Sequence, residues 1–338
     1  LLDYALFLAK ALTWIAGIGA VGLIVAGAIR SARPGGHERL EIKNVNQRLR
    51  RLAELLNAQM LGDRERKAHA AQLRRQDKAR RAAERAGAEP RPRVFVLDFQ
   101  GDLEASRVTA LREEISALLQ VARPTDEVLV RLESAGGMVH GYGLAASQLR
   151  RIRDRKLRLT IAVDKVAASG GYLMASVADR IVAAPFAIVG SIGVVAQLPN
   201  FNRLLREHHI DYELHTAGEF KRTLTLFGEN TAEARTKFRE ELEQTHALFK
   251  AFVAENRPQL SLERTATGEH WYGAQAIALG LVDELRTSDD YLLDRAGPAD
   301  VFELRYRMRR SFREQLLGGL AGLSPGLGRR WRTPAEML

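Results

Sequence analysis

The chain opens with a pattern that has no polar face. Residues 11–29 are 19 consecutive uncharged positions, apolar or small apart from Thr13. At about 1.5 Å of rise per residue, a helix of that length reaches about 28 Å, close to the ~30 Å hydrocarbon core of a bilayer. The pattern predicts a flank over 1–10 and one transmembrane helix over 11–29. A cleaved signal peptide is the rival reading, because Ala26-Gly27-Ala28 has the form of a cleavage site. Against it, the run exceeds an ordinary signal core of about 7–15 residues, and little positive charge precedes it.

After the run the periodicity becomes helical and then polar. Leu40, Val45, Leu49, Leu52, Leu56 and Met60 recur at helix spacing, and Ala, Arg, Lys and Gln dominate from there to Glu89. This predicts a basic helical stalk or linker over 30–93. Beyond Pro90 and Pro92, short apolar runs at 94–99, 128–132 and 159–163 alternate with helix-period stretches at 106–121 and 138–153. Apolar strands alternating with helices predict a parallel sheet covered on both faces. Further strands are expected at 180–184, 188–196 and 212–216, and helices at 202–208, 231–257 and 273–279. One α/β domain over 94–290 is the economical division, leaving 291–338 as a basic C-terminal extension.

Charge sharpens this division. The formal net charge is +10, yet residues 30–93 hold 18 Lys/Arg against 8 Asp/Glu and residues 305–338 hold 8 against 2, so the stretch between them is acidic. Aromatic residues are absent from the basic stalk, which argues against base stacking, and no nucleic-acid partner is expected. Lys and Arg are dense just after the apolar run and sparse before it, which by the positive-inside rule favours a cytoplasmic domain. Zero cysteines exclude a thiol nucleophile, thiolate metal sites and disulfides.

Candidate chemistry lies in the turns that follow the strands. Glu133-Ser134-Ala135-Gly136-Gly137 leads from the second predicted strand toward a helix, where paired glycines can turn backbone N–H groups toward an oxyanion. Ala168-Ser169-Gly170-Gly171-Tyr172 follows the third strand and starts another helix. A serine there suits a nucleophile, although a plain N-cap is the alternative. Turns after neighbouring strands of one sheet face the same edge. No histidine sits in a recognisable catalytic motif, and His140, near the glycine turn, reads as a surface or half-buried residue. The other possible base is a lysine. Lys221 lies in the loop Gly218-Glu219-Phe220-Lys221-Arg222, and a lysine acting as a base must be desolvated to shed its charge.

Together these motifs resemble the signal peptide peptidase A family of bacterial membrane serine peptidases, over about residues 94–285. The resemblance is carried by Ser134-Ala135-Gly136-Gly137, Ala168-Ser169-Gly170-Gly171-Tyr172, Gly190-Ser191-Ile192-Gly193-Val194, Gly218-Glu219-Phe220-Lys221 and the segment from Gly273 to Leu281-Val282-Asp283. It implies a ClpP/crotonase-like parallel-sheet domain, preceded here by the transmembrane helix and charged stalk, in a protein of the bacterial inner membrane. It implies a Ser–Lys dyad in which Ser169 attacks the peptide carbonyl and Lys221 is the base. Ser191 would orient the lysine, and Gly136, Gly137 and Gly170 would form the oxyanion hole. It further implies no cofactor or metal, substrates that are signal peptides or other membrane-associated or unfolded polypeptides, and a ring-shaped homo-oligomer whose subunits share the dyad. Ala135 departs from the family pattern, where proline is usual, and leaves that turn less preorganised.

Two other functions compete. Gly141-Tyr142-Gly143-Leu144-Ala145-Ala146, with Asp164 about 20 residues on, imitates a dinucleotide fingerprint, but it begins too far beyond its strand for the tight first turn. A catalytically inactive membrane scaffold of the same fold is the second alternative, and it has no need of both Ser169 and Lys221.

Overall fold

The computed structural model describes residues 39–307 except 219, together with Leu6, Phe7, Lys10, Leu12, Thr13, Trp14, Gly17 and Gly19, which are helical. Most of the expected transmembrane run, and the extension beyond 307, lie outside the described residues. Among those described, no helix is long and apolar enough to cross a membrane. The chain forms two compact units, one of Leu1–Leu40 with Tyr306–Leu338 and one of Glu41–Arg305. The second carries the chemistry.

Its strands are β1 (Arg39–Asn44), β2 (Arg93–Gln100), β3 (Glu127–Glu133), β4 (Arg158–Val163), β5 (Val166–Ala168), β6 (Arg180–Ala183), β7 (Ile188–Gly190), β8 (His270–Tyr272), β9 (Glu284–Leu285) and β10 (Asp300–Arg307). Seven of them form one sheet in the order β1-β10-β2-β3-β4-β6-β9. The pairs from β10–β2 through to β6–β9 are parallel. A small second sheet, β5-β7-β8, is tied to the first by a bridge between Ser134 and Ala167.

Period-two alternation sends successive β2 residues to opposite faces. Val94 and Val96 join Leu129, Ala162, Val182 and Val301 in a cluster closed by Val45, Tyr291 and Leu292, from helices α1 (Val45–Met60) and α10 (Ser288–Ala296). Phe95, Leu97 and Phe99 are buried on the other side. There the Phe99 ring meets Tyr142 edge-on at 6.4 Å. Tyr142 belongs to α4 (Val139–Asp154), which packs beside α3 (Val108–Val121). Burial on both faces is why β2, β3 and β4 read as continuous apolar runs. Each buried Leu, Val, Ile or Phe contributes about 1.5–3 kcal/mol, so this sandwich dominates the stability of the unit.

The sheet overruns the expected boundaries at both ends. The stretch read as a uniform helical stalk opens with strand β1, and the root of α1 is built into the core. Asn46 Nδ2 donates to the carbonyls of Ala296 (2.8 Å) and Ala299 (2.9 Å), while the Val301 N–H donates to Asn46 Oδ1 at 2.7 Å. Past this root Leu52, Leu55, Leu56 and Met60 are exposed, and α2 (Asp63–Arg85) is made mostly of charged residues, glutamine and alanine. At the other end β10 lies beyond residue 290, beside β2, although Arg305 and Arg307 give it the look of a basic tail.

Two expected strands are also corrected. The strand predicted over 188–196 stops at Gly190, because Gly190 (φ 99°) and Ser191 (φ 51°) turn the backbone out of extended geometry. The stretch 212–216 forms no strand. The remaining helices are α5 (Gly170–Ser176), α6 (Asn202–Glu207), α7 (Ala232–Asn256), α8 (Leu262–Thr265) and α9 (Gly273–Ala276).

Candidate active site

Ser169 stands at the corner between β5 and α5. Its backbone, at φ 50° and ψ −119°, is in a region that costs a non-glycine residue about 1–3 kcal/mol and survives only where the surroundings impose it. They do so here. The Ser169 N–H donates to the Gly190 carbonyl at 2.8 Å, and the helix that follows is buried along its whole length. Tyr172 of that helix donates its hydroxyl to the Leu281 carbonyl at 3.0 Å. The Ser169 hydroxyl makes no capping hydrogen bond and is half-buried, so the simple N-cap alternative does not describe it.

The glycine turn lies directly against this corner. Ser134 is bound on both sides to β5, its N–H donating to Val166 O (2.8 Å) and its carbonyl accepting from the Ala168 N–H (3.0 Å). Gly136 has φ 95°, and a Cβ built on it would lie 2.8 Å from both Ser169 Cβ and the Gly170 nitrogen. Gly137 is equally confined: a Cβ there would fall 2.2 Å from the Leu103 carbonyl oxygen, which also accepts the Met138 N–H at 2.8 Å. The two turns converge, and only glycine fits where they touch.

Of the three glycine N–H groups expected to bind an oxyanion, one is occupied. The Gly136 N–H already donates to Ser134 Oγ at 3.1 Å. The Gly137 N–H donates to no group among the described residues, and Gly170, first in α5, has no intrahelical acceptor. The pair Gly137 and Gly170 is therefore what remains to receive a developing negative charge. Ser191 sits next to Gly190, whose carbonyl holds Ser169, and its own N–H donates to Glu269 O at 2.7 Å.

Lys221 does not meet the expectation of a desolvated lysine beside the serine. Its side chain is exposed, and no hydrogen bond joins its ammonium to Ser169 or Ser191. The main chain explains the placement: the Lys221 N–H donates to Gly218 O at 3.2 Å in a turn with Gly218 at φ 101°. Phe220, beside it in the sequence, is 47% exposed and receives Lys237 Nζ at 5.0 Å from its ring centroid. In the stretch that precedes this loop, Val195, Leu198, Phe201, Leu204, Ile210 and Tyr212 are all exposed.

The dinucleotide reading fails on geometry. In the dinucleotide-like stretch Tyr142 is fully buried, and a Cβ on Gly141 would lie 2.7 Å from Glu104 O. Asp164, in the position of a ribose-binding acid, accepts from the Ser288 N–H (2.7 Å) and hydroxyl (2.5 Å) at the start of α10. His140 is exposed at the start of α4, and His246 Nε2 lies 3.2 Å from Ile192 O. Among the described residues no three His, Cys, Asp or Glu side chains converge on a possible metal. Asp283, at the end of the late motif, is a brace. It accepts from the Ile181 N–H at 2.7 Å and takes a two-pronged ion pair from the buried Arg257 at 2.8 and 2.7 Å.

One participant escaped the sequence reading. Tyr142 donates its hydroxyl to Asp102 O at 2.8 Å and lies 2.5 Å from Ser134 Oγ, directly behind the glycine turn. The signal was present, a tyrosine between two glycines eight residues after Ser134, but it read as part of the dinucleotide mimic.

Residues 1–149 match the model of the peptidase family S49 N-terminal region and residues 151–301 that of peptidase family S49. The chain is 62% identical over 218 residues to the probable protease SohB of Haemophilus influenzae, covering 64% of this chain and 62% of that protein. It is 59% identical over 204 residues to the probable protease SohB of Buchnera aphidicola subsp. Schlechtendalia chinensis, covering 60% of this chain and 67% of that protein. The matched part thus spans about two thirds of the length of these curated relatives. Among solved structures, the membrane-bound stomatin-specific protease 1510-N in complex with a substrate peptide aligns over 69% of this chain and 100% of its own, at 13% identity and a TM-score of 0.42.

Proposed function

Because the chain belongs to peptidase family S49, we propose that it is a serine endopeptidase using a Ser–Lys dyad. Ser169 Oγ attacks the scissile carbonyl as Lys221 Nζ takes its proton. Ser191 orients the amine. The carbonyl oxygen, becoming an oxyanion, is received by the N–H groups of Gly137 and Gly170, which need no reorganisation to do so. The lysine then returns the proton to the leaving amine, and water releases the acyl group by the same route. The observation that carries this reading is the contact of Gly136 with Ser169, which brings an unoccupied N–H pair beside an uncapped serine hydroxyl.

The exposed Lys221 and the exposed apolar side chains of the stretch before its loop support an active form in which a neighbouring subunit of a homo-oligomer covers that loop and brings lysine and serine together. The uncharged run over 11–29 supports a single-pass anchor in the bacterial inner membrane, and the basic stretch after it favours the cytoplasmic side. Such an anchor suits extended substrates: signal peptides and other membrane-associated or unfolded polypeptides.

The test is digestion of casein and of a lipid-embedded signal peptide by the wild type beside Ser169→Ala. Cleavage by the first and none by the second is expected. Cleavage that survives in Ser169→Ala removes the serine from the mechanism, and a wild type inert on every peptide favours the scaffold.

A further inference from the structure

The N–H of Gly136 does not face substrate, and what it does instead has a direction. Tyr142 has one hydroxyl proton, and it goes to the Asp102 carbonyl at 2.8 Å. The 2.5 Å contact between Tyr142 Oη and Ser134 Oγ is therefore made with the Ser134 proton. That leaves a Ser134 lone pair for the Gly136 N–H at 3.1 Å. The bonds run one way, from Gly136 N–H to Ser134 to Tyr142 to the backbone of Asp102, and bonds in such a series polarise one another. Burial pushes the Tyr142 phenol up, against the lowering effect of its bond with Ser134, and the nearby Asp102 adds to the rise, so the donor keeps its proton.

The series is locked at both ends. Tyr142 is fully buried and its ring fills the space a Cβ on Gly170 would need, 2.4 Å from the nearest ring atom. Ser134 is fastened to β5 by its own backbone, and Gly101 packs against both hydroxyls. Beyond Asp102, Leu103 O holds the Met138 N–H, so the loop that anchors the series also anchors the far side of the turn. Ala135, between Ser134 and Gly136, leaves the turn without a ring-fixed φ.

We infer that Ser134 and Tyr142 are positioning residues for the oxyanion hole: their hydrogen-bond series fixes the plane of the Ala135–Gly136 peptide and, through the confined Gly136 backbone at φ 95°, aims the Gly137 N–H at the carbonyl under attack by Ser169. The inference rests on the reading of Ser169 as nucleophile. It concerns a group that strengthens its hold on substrate only as the oxyanion forms, so its loss falls on kcat and leaves KM in place.

The experiment compares full-length wild type, Tyr142→Phe, Ser134→Ala, the double variant and Ser169→Ala on one fluorogenic peptide, with thermal unfolding measured alongside. Tyr142→Phe keeps the ring and its packing and removes only the oxygen. It is expected to lower kcat about tenfold, a fraction of what deleting an oxyanion donor costs, with KM changed by less than about twofold. The double variant is expected to lose little more than the worse single one, because either change breaks the series. Binding of the same peptide to Ser169→Ala is expected to be unaltered when Tyr142→Phe is added. A folded Tyr142→Phe with the wild-type kcat, or a loss confined to KM, overturns the inference whatever becomes of Ser134→Ala. Activity persisting in Ser169→Ala would instead overturn the reading beneath it.

Discussion

Gly136 and Ser169 are in contact such that neither tolerates another atom between them: a methyl carbon on Gly136 would stand 2.8 Å from Ser169 Cβ. Gly136→Ala must therefore shift the serine corner or the turn, and its φ of 95° adds backbone strain. Urea unfolding is expected to register a loss of about 1–3 kcal/mol, and peptide hydrolysis a fall in kcat on the order of 100-fold. Full activity in this variant would mean that the turn takes no part in catalysis.

Lys221→Ala and Lys221→Arg are both expected to be inactive on peptides, the second because a guanidinium does not give up its proton. Since Lys221 is exposed in the single chain, mixing Ser169→Ala with Lys221→Ala subunits is expected to restore part of the activity through sites built from one intact residue of each. A mixture as dead as its components places both groups of a working site on one chain.

The pair Arg257–Asp283 braces helix α5 from behind, since Arg257 also donates to Gly280 O at 2.9 Å and Tyr172 to Leu281 O. Arg257→Ala takes the guanidinium partner from Asp283 and from the Gly280 carbonyl, and a loss of about 3 kcal/mol in unfolding free energy is expected. An unchanged denaturation midpoint would show the brace to be idle.

Asp126 sets an acid limit. Burial disfavours its charge, but hydrogen bonds from the Arg93 side chain, the backbone of Arg123 and Arg93, and the Arg123 side chain outweigh that and hold its carboxyl below the usual range. A depressed carboxyl stabilises the fold above its unfolded value of about 3.9 and ceases to do so as pH falls through the lower folded value. Asp126→Asn is thus expected to be less stable than wild type by about 1–3 kcal/mol at pH 7, with the gap narrowing below about pH 4. A gap of constant size across that range would assign the effect to packing.

The central strands were legible because burial on both faces fills β2, β3 and β4 with apolar residues and confines most of their polar positions to the strand ends. The site turns were legible because close approach admits only glycine, and Gly136, Gly137 and Gly170 announce such approaches in any sequence. What stayed hidden depends on distance along the chain. β10 carries arginines at its solvent end, and its partner β2 lies some two hundred residues earlier, so its alternation passed for a charged tail. A desolvated Lys221 was expected because a base must shed its charge, but in the single chain both it and the adjacent Phe220 are exposed. The Ser134–Tyr142 series was missed because hydrogen-bond direction emerges only when Asp102, on another loop, claims the tyrosine's one proton.

The strand last made lies second from the edge of the main sheet, between β1 and β2. A ribosome translating this chain completes β2, β3, β4 and β6 while the edge of β2 that β10 will occupy still has no permanent neighbour. Until residue 307 has emerged, that edge offers unpaired main-chain groups to any other nascent polypeptide, and Asn46 lacks the carbonyls of Ala296 and Ala299 that anchor the first helix. Messages truncated shortly before this point encode a product with nearly all of the catalytic apparatus and no way to seal its sheet, the kind of chain that chaperones retain and quality-control proteases remove.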